Sequence, residues 1–453
     1  MNARHKIMWP GAVAGAVVLM AGACSGNAGG SEKANSQECV HVVDEGTGKT
    51  GEECLPIAPR SDRVDLIEPT FSNPTKITNP LHPTREVDQV IMGGQVDDAP
   101  FRTEVSLLPG TETITFDGKT VNALTQQYVA FSDGRIHEVA LDRYAQADDG
   151  SVWYLGEDVF NYEDGVVADT EGTWQAGRDK APAAMIMPAD PREGDVYRPE
   201  NLPGVVFEEV TVKAVDQTVD GPYGEINGAV TVRELHMDGS TEDKIFAPGY
   251  GEFSTGTANG ELEAVSLAVP PDAKRGPLPD RLAVLDKAAH SAQDGEVTDG
   301  DLKAVQAAWT GYRDSDAVPD LLDKQMTRDL DTLAEAVGAG EQAEAHGAAL
   351  RVAQNTTDLR LRYEPVRTVD LERFDMWARQ LGIDAAARDE GAVAGDVTSL
   401  ELAWERLRDD SAASAAVTAD LREARDAADQ KDAAVAGQVA PQLTEDIAKV
   451  QQG

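Results

Sequence analysis

Leu267-Ala268-Val269-Pro270-Pro271-Asp272-Ala273-Lys274-Arg275-Gly276-Pro277-Leu278-Pro279 is where the chain changes character. Pro270-Pro271, and again Pro277 and Pro279, predict a semi-rigid linker over 270–280. On the N-terminal side, from about Asp65 to Val269, short apolar or alternating runs are punctuated by turn chemistry. Asn73-Pro74, Asn79-Pro80, Pro109-Gly110, Asp117-Gly118, Asp133-Gly134, Asp149-Gly150, Asp164-Gly165 and Asp238-Gly239 mark the turns. Thr111 to Phe116, Gln127 to Phe131, Ile136 to Leu141, Val152 to Leu155, Val205 to Val215 and Ala229 to Leu235 supply strands, many with period-two alternation. These predict an antiparallel β domain over 61–269, a sandwich or a partial barrel. Beyond the prolines the period becomes helical. Leu302, Val305, Trp309 and Tyr312 share one helical face; Phe374, Trp377 and Leu381 mark another, and Val393, Val397, Leu400, Trp404 and Leu407 a third. Gly338, Gly340, Pro365, Gly391, Gly437 and Pro441 divide this half, and six to eight helices are expected to pack as a bundle over 281–453. The fold class is therefore α+β, a two-domain chain with an antiparallel β domain followed by an all-α bundle.

The N-terminus predicts where the protein works. Arg4, His5 and Lys6 form a positive leader, and Met8 to Ala23 is a mostly apolar core, shorter than the about 20 residues of a comfortable membrane span. This reads as a signal peptide over residues 1–23. Ala21-Gly22-Ala23-Cys24 resembles the bacterial lipobox, although Leu19 lies two residues before the position where that pattern prefers leucine. The resemblance implies cleavage before Cys24, diacylglycerol on its sulfur, and anchoring to the membrane through N-terminal acyl chains. Ser25 to Gln37 is polar and small, and residues 24–60 are expected to form a flexible tether holding a disulfide loop. With Cys24 assigned to lipid, the 3 cysteines leave Cys39 and Cys54 as a pair, suited to an oxidising, extracytoplasmic setting.

Composition excludes some partners. A formal charge of -40, from 80 acidic and 40 basic residues, argues against nucleic acid and against polybasic contact with anionic lipid. Acyl chains must then hold the protein at the membrane, while scattered carboxylates read as a solvated surface.

Five ordered motifs stand out in the β half. They are Gly150-Ser151-Val152-Trp153-Tyr154-Leu155-Gly156-Glu157-Asp158, Trp174-Gln175-Ala176-Gly177, Met187-Pro188-Ala189-Asp190-Pro191, Gly194-Asp195-Val196-Tyr197-Arg198-Pro199-Glu200 and Lys244-Ile245-Phe246-Ala247-Pro248-Gly249-Tyr250-Gly251. Together they resemble a family of secreted or lipid-anchored bacterial proteins of unassigned function, over roughly Leu107 to Leu267. The chain departs from it at Asp179-Lys180-Ala181, where Asp-Gly-Ala is usual, and at Ile245 and Tyr250. The resemblance implies fold and location, not activity. The same residues admit two physical readings. Trp153, Tyr154, Trp174, Tyr197 and Tyr250 would line a ligand cleft rimmed by Glu157, Asp158, Asp195, Arg198 and Glu200; alternatively the aromatics fill a core and the carboxylates satisfy turns. A pair such as Glu157 and Glu200 would serve acid and base roles on a glycosidic bond only at the right separation.

Elsewhere, motifs of chemistry are missing. His41, His82, His137, His236, His290 and His346 share no metal-binding spacing and read as surface or turn residues, so no metal ligands and no cofactor are assigned. No Gly-x-Ser-x-Gly elbow, P-loop or dinucleotide fingerprint appears. Asp294 to Leu302 echoes half an EF-hand loop, but Thr298 with Asp301 reads better as a capping box opening a helix near Asp299. Asp358 with Arg362, Asp375 with Arg379 and Asp384 with Arg388 are spaced as exposed helix pairs; a buried polar seam near Tyr363 and Trp377 is the alternative. The expected function is a lipid-anchored extracytoplasmic binding or envelope-scaffold protein with a protein or small-molecule ligand of the cell envelope, and not an enzyme. An envelope hydrolase using β-domain carboxylates and a divalent-cation binder are the alternatives.

Overall fold

The structure, a computed structural model, describes residues 38–44, 48–96, 98–257, 262–274, 276–293, 295–314, 318–409 and 411–452. Cys24, the apolar leader and the polar stretch to residue 37 lie outside the described residues. A small hairpin opens the chain, β1 (His41–Asp44) with β2 (Lys49–Cys54). The main sheet follows as β3 (Gln89–Val96), β4 (Ala99–Leu107), β5 (Glu112–Phe116), β6 (Lys119–Ser132), β7 (Arg135–Gln146), β8 (Val152–Glu163), β9 (Val166–Asp169) and β10 (Trp174–Gln175). It continues through β11 (Ala184–Met187), β12 (Val196–Leu202), β13 (Val206–Gly221), β14 (Gly224–His236), β15 (Thr241–Ala247), β16 (Gly251–Gly256) and β17 (Leu262–Val269). Helices α1 (Asp280–Ser291), α2 (Asp299–Arg313), α3 (Asp320–Ala339), α4 (Gln342–Leu361), α5 (Val366–Ala387), α6 (Glu390–Leu407), α7 (Ala412–Asp429) and α8 (Ala433–Gln452) complete the chain.

The sheet is an antiparallel meander whose path runs β10-β8-β7-β6-β4-β3-β17-β16-β15-β14-β13-β12, with β5 added on β6 and β9 and β11 on β8. Pairing of β17 with β3 joins the two limbs. The limbs then curl toward each other: one core unites Leu124, Tyr144 and Tyr154 from β6, β7 and β8 with Val210, Val232 and Phe246 from β13, β14 and β15. Short β11 fills the remaining gap, hydrogen-bonded to β8 and packed beside β12. Of the two architectures open to the sequence, this is the partial barrel. Its tight hairpins follow the Asp-Gly signals. Asp117-Gly118, Asp133-Gly134 and Asp164-Gly165 all take left-handed conformations at both residues, the pattern of two-residue turns whose twist matches the flanking strands.

The helices cover one outer face of this barrel. Ile91, Val129, Phe131, Ile136, Val139 and Leu267 share a single core with the helical residues, and Phe131 stacks on Trp377 with ring centroids 5.5 Å apart. The three helical stripes named from the sequence are buried there. Thr298 and Asp301 form the capping box at the start of α2, with Thr298 N donating to Asp301 Oδ2 at 3.0 Å. Gly340 ends α3 in a left-handed conformation and Pro365 caps α5. Gly437 and Pro441, read as dividers, lie inside α8 instead. At Gly437 a Cβ would come 2.8 Å from Ala385 Cβ, so this glycine serves close packing of α5 on α8. The buried face Val439, Ala440, Leu443 and Ile447 carries the helix through the proline despite its missing donor.

The Cys39–Cys54 disulfide is present, with Cα atoms 5.2 Å apart. The segment it staples does not continue as a tether. Val40, Leu55 and Ile57 pack against Phe207 and Leu235 on the barrel, and Val43 N donates to Met237 O at 3.0 Å. No helix among the described residues is long and apolar enough to cross a membrane.

Candidate functional site

Strand parity builds the site. On β14, Val230 and Val232 enter the interior core, and the same period carries Glu234 and His236 inward, while Arg233, between Val232 and Glu234, is half exposed and pairs with Asp243. On β15 the parity of Phe246 brings Lys244 and Glu242 inward beside them. Glu208 on β13 is the cross-strand partner of His236. Glu138 and Asp142 come from β7, Glu157 from β8, Glu200 from β12, Glu252 from β16 and Glu263 from β17. Among the described residues these strands thus gather nine carboxyl groups around one ammonium, Lys244, and the imidazole of His236.

Their protonation follows from burial. Desolvation raises Glu263 and Glu157 to about 8. It raises Glu138 to about 7, helped by the nearby charge of Asp142, and Asp142 itself to about 6 against the hydrogen bond from Tyr154. Burial and the charge of Glu200 bring Glu208 to about 7; burial and the charge of Glu208 bring Glu234 to about 8. Glu242 differs: burial opposes its charge, but Lys244 and His236 outweigh this and hold it at about 2. Burial likewise opposes the charge on His236, yet the hydrogen bond to Glu242 and the surrounding carboxylates raise it to about 9.

A cavity of about 150 Å³ opens within this interior. Tyr128, Tyr144, Phe246 and Tyr250 give it ring surfaces, Asp142, Glu252 and Glu263 give it carboxyls, and Val90, Met92 and Val105 give it an apolar wall. Each carboxyl is held in place. Tyr154 Oη donates to Asp142 Oδ1 at 2.7 Å, Thr103 donates to Glu263 and Thr255 to Glu252. His82 also lines the cavity; burial lowers it to about 4, and its Nδ1 lies 2.9 Å from Thr84 Oγ1. Rings and carboxyls around a small concavity suit a compact organic cation, attracted by both.

Of the residues singled out from the sequence, Tyr250 lines this cavity, its hydroxyl donating to Asp272 Oδ1 at 2.7 Å. Trp153, Tyr154, Trp174 and Tyr197 fill the neighbouring core, buried to 6% exposure or less. Trp153 Nε1 donates to Ser151 and Trp174 Nε1 to Glu200 Oε1 at 3.0 Å. Glu157 and Glu200 lie in carboxyl–carboxyl contact; burial first, then the charge of Glu157 and hydrogen bonding with it, push Glu200 well above the usual range. Groups in such contact leave no space for a glycosidic oxygen and its attacking water between them. Asp158 pairs with Arg143 at 2.5 Å, Asp195 accepts the turn N–H of Arg192, and Arg198 bridges Glu209 and Glu38 beneath the N-terminal hairpin. These three serve packing and turns.

The sequence reading missed Glu138, Asp142, Glu208, Glu234, His236, Glu242, Lys244, Glu252 and Glu263. Its reading of the histidines as surface or turn residues fails at His236, on β14 and set among carboxylates, whereas His82 does sit in a turn, its N–H donating to Asn79 O, with its side chain turned inward to 9% exposure. A signal existed: Glu234 and His236 continue the parity of Val230 and Val232, and Glu242 and Lys244 that of Phe246. Alternation of acids with other polar residues reads as a solvated face unless the apolar parity is carried along the strand. Among known proteins, no family model, no curated protein and no solved structure matches this chain.

Proposed function

We propose that the protein is a lipid-anchored, extracytoplasmic binding protein whose barrel cavity takes a small organic cation. The observation that supports the ligand class is the lining of the cavity by Tyr128, Tyr144 and Phe246 together with Asp142, Glu252 and Glu263. Its size sets the scale, since a cavity of about 150 Å³ in another protein accommodates benzene. The location rests on the lipobox-like Ala21-Gly22-Ala23-Cys24 and on the disulfide, which persists in oxidising compartments. Intact mass of membrane-extracted protein tests the anchor: a diacylated N-terminal cysteine supports it, an unmodified or uncleaved terminus refutes it.

The ligand class is tested by calorimetry with tert-butylammonium against tert-butanol, two molecules of similar shape and different charge. Binding of the ammonium alone is expected, weakened about tenfold by Glu263→Gln, the loss of one favourable ion pair. Affinity should rise from pH 6 to pH 9, because Glu263 and Asp142, raised to about 8 and 6, must release protons to face a cation. Equal binding of the alcohol, or no binding of the ammonium at pH 9, would overturn this reading.

A further inference from the structure

We infer that the corner of the barrel formed by Glu234, His236 and Glu242, backed by Glu208, is a binding site for a divalent transition metal of zinc type. It is a second site, distinct from the central cavity and built from other carboxylates. Glu208, Glu234 and His236 each bring one donor atom within 4.8 Å of the others. Around His236 the spacing is regular: Nε2 lies 3.7 Å from Glu234 Oε1 and 3.5 Å from Glu242 Oε1, and Nδ1 lies 3.7 Å from Glu208 Oε1. A tetrahedral ion with bonds of about 2.0 to 2.2 Å has ligand atoms about 3.3 to 3.6 Å apart, close to the 3.7 and 3.5 Å that separate Nε2 from Glu234 and Glu242. Glu208 then stands where metal-binding histidines meet a carboxylate at the other ring nitrogen, fixing tautomer and orientation.

Two further features point to a cation here. Glu242 Oε2 is buried without a hydrogen-bond partner on a side chain only 3% exposed. Burying such an oxygen unsatisfied is costly, and a metal bound by both carboxylate oxygens would relieve it. The site also already draws a positive charge, since Lys244 Nζ sits 2.9 Å from Glu234 Oε1 and 3.2 Å from Glu242 Oε1. An ammonium and a metal therefore compete for the same two oxygens. Glu252 Oε2, 4.0 Å from Nζ, receives the displaced ammonium. One nitrogen and two carboxylates favour zinc over calcium, which takes six to eight oxygens.

Calorimetry on the metal-stripped full chain tests this with zinc chloride, and with calcium chloride in a parallel titration. One zinc per chain is expected, with calcium binding weaker. His236→Ala should abolish zinc binding, and Glu208→Gln should weaken it by about 10- to 100-fold, the usual effect of losing an outer partner. Lys244→Met should tighten it, a gain that misfolding cannot mimic. His41→Ala, in the other histidine-containing cluster, whose two cysteines are tied as a disulfide, should leave it unchanged. Glu263→Gln should also leave it unchanged while weakening tert-butylammonium, which separates this site from the cavity reading. Absence of zinc binding, zinc binding undiminished in His236→Ala, or no tightening in Lys244→Met would overturn the inference.

Discussion

Asp358 decides how firmly sheet and helices are joined. Fully buried on α4, it accepts from Arg102 of β4 at 2.6 Å and from Arg373 of α5 at 3.0 Å. Glu104 completes the arrangement with Arg102, Arg373 and Arg406, and Asp370 pairs with Arg373 and Arg406. Three guanidiniums thus face three carboxylates. Burial opposes the charge of Glu104, but the three arginines hold its carboxyl far below the usual range. Replacing Asp358 with Ala leaves a buried positive charge without its partner and should destabilise the protein by about 3 to 5 kcal/mol. Urea unfolding measures this, and a loss below about 1 kcal/mol would contradict the role given to the network. The sequence expectation here was wrong for a definable reason. Asp358 and Arg362 have the spacing of an exposed helix pair, but that spacing is blind to what the helix face packs against; Arg362 instead lies over the ring of Tyr223 at 3.4 Å. Asp384 likewise turns to Arg135 of β7 at 2.6 Å, because Arg388 leaves α5 in a left-handed conformation. Asp375 and Arg379 do pair as their spacing predicts, at 2.8 Å.

At the scale of elements, the β8–β9 hairpin is seated on the start of α6 by three glycines. A Cβ on Gly165 would fall 1.9 Å from Gly391 O and 2.8 Å from Gly395 N, and a Cβ on Gly391 would meet Asp164 O at 2.6 Å. The turn chemistry of Asp164-Gly165 was readable from sequence, as was a boundary near Gly391, where Asp389 caps α6 by accepting from Ala392 N. That the two glycines touch was not readable, since no local pattern links residues so far apart. Asp117-Gly118 provides a matched control: Asp117 and Gly118 adopt φ of 47° and 73°, Asp164 and Gly165 φ of 50° and 73°, and nothing lies within 4 Å of a Cβ on Gly118. Gly118→Ala should cost about 1 to 2 kcal/mol from the left-handed backbone alone. Gly165→Ala should cost at least about 2 kcal/mol more, because the hairpin must also lift from the helix. Equal losses in denaturant unfolding would show that the close approach carries no energy. The lumen carboxyls were illegible for a related reason: a strand such as Glu234-Leu235-His236 gives no sign of which face closes on itself until the sheet curls. Leu235 packs outward under the N-terminal hairpin, so the usual rule of apolar in and polar out is reversed there.

For the whole molecule, the acidic lumen sets how stability depends on pH. Asp142 at about 6, Glu138 and Glu208 at about 7, and Glu157, Glu234 and Glu263 at about 8 all lie above their unfolded values near 4, with Glu200 raised further. Between these values the folded chain holds more protons than the unfolded one. The stability tied to those protons is complete below the unfolded pKa and is lost progressively as pH climbs from about 4 through the folded values of 6 to 8. His236, raised to about 9, adds a loss of the same sign at the top of the range. The opposing groups are fewer: His82, lowered to about 4, favours folding as pH rises only up to its unfolded value near 6.5, and Glu242, at about 2, matters only in acid. The formal charge of -40 reinforces the trend, since each lumen carboxylate that ionises adds to a surface already repelling itself. The melting temperature should therefore be highest near pH 4 to 5 and, between pH 6 and pH 9, fall by at least about 5 °C. Glu200→Gln, which removes one of the retained protons but keeps an acceptor for Trp174 Nε1, should flatten that fall. A melting temperature that is level or rises between pH 6 and pH 9 would mean the lumen carboxyls ionise freely, as they would in an interior open to water.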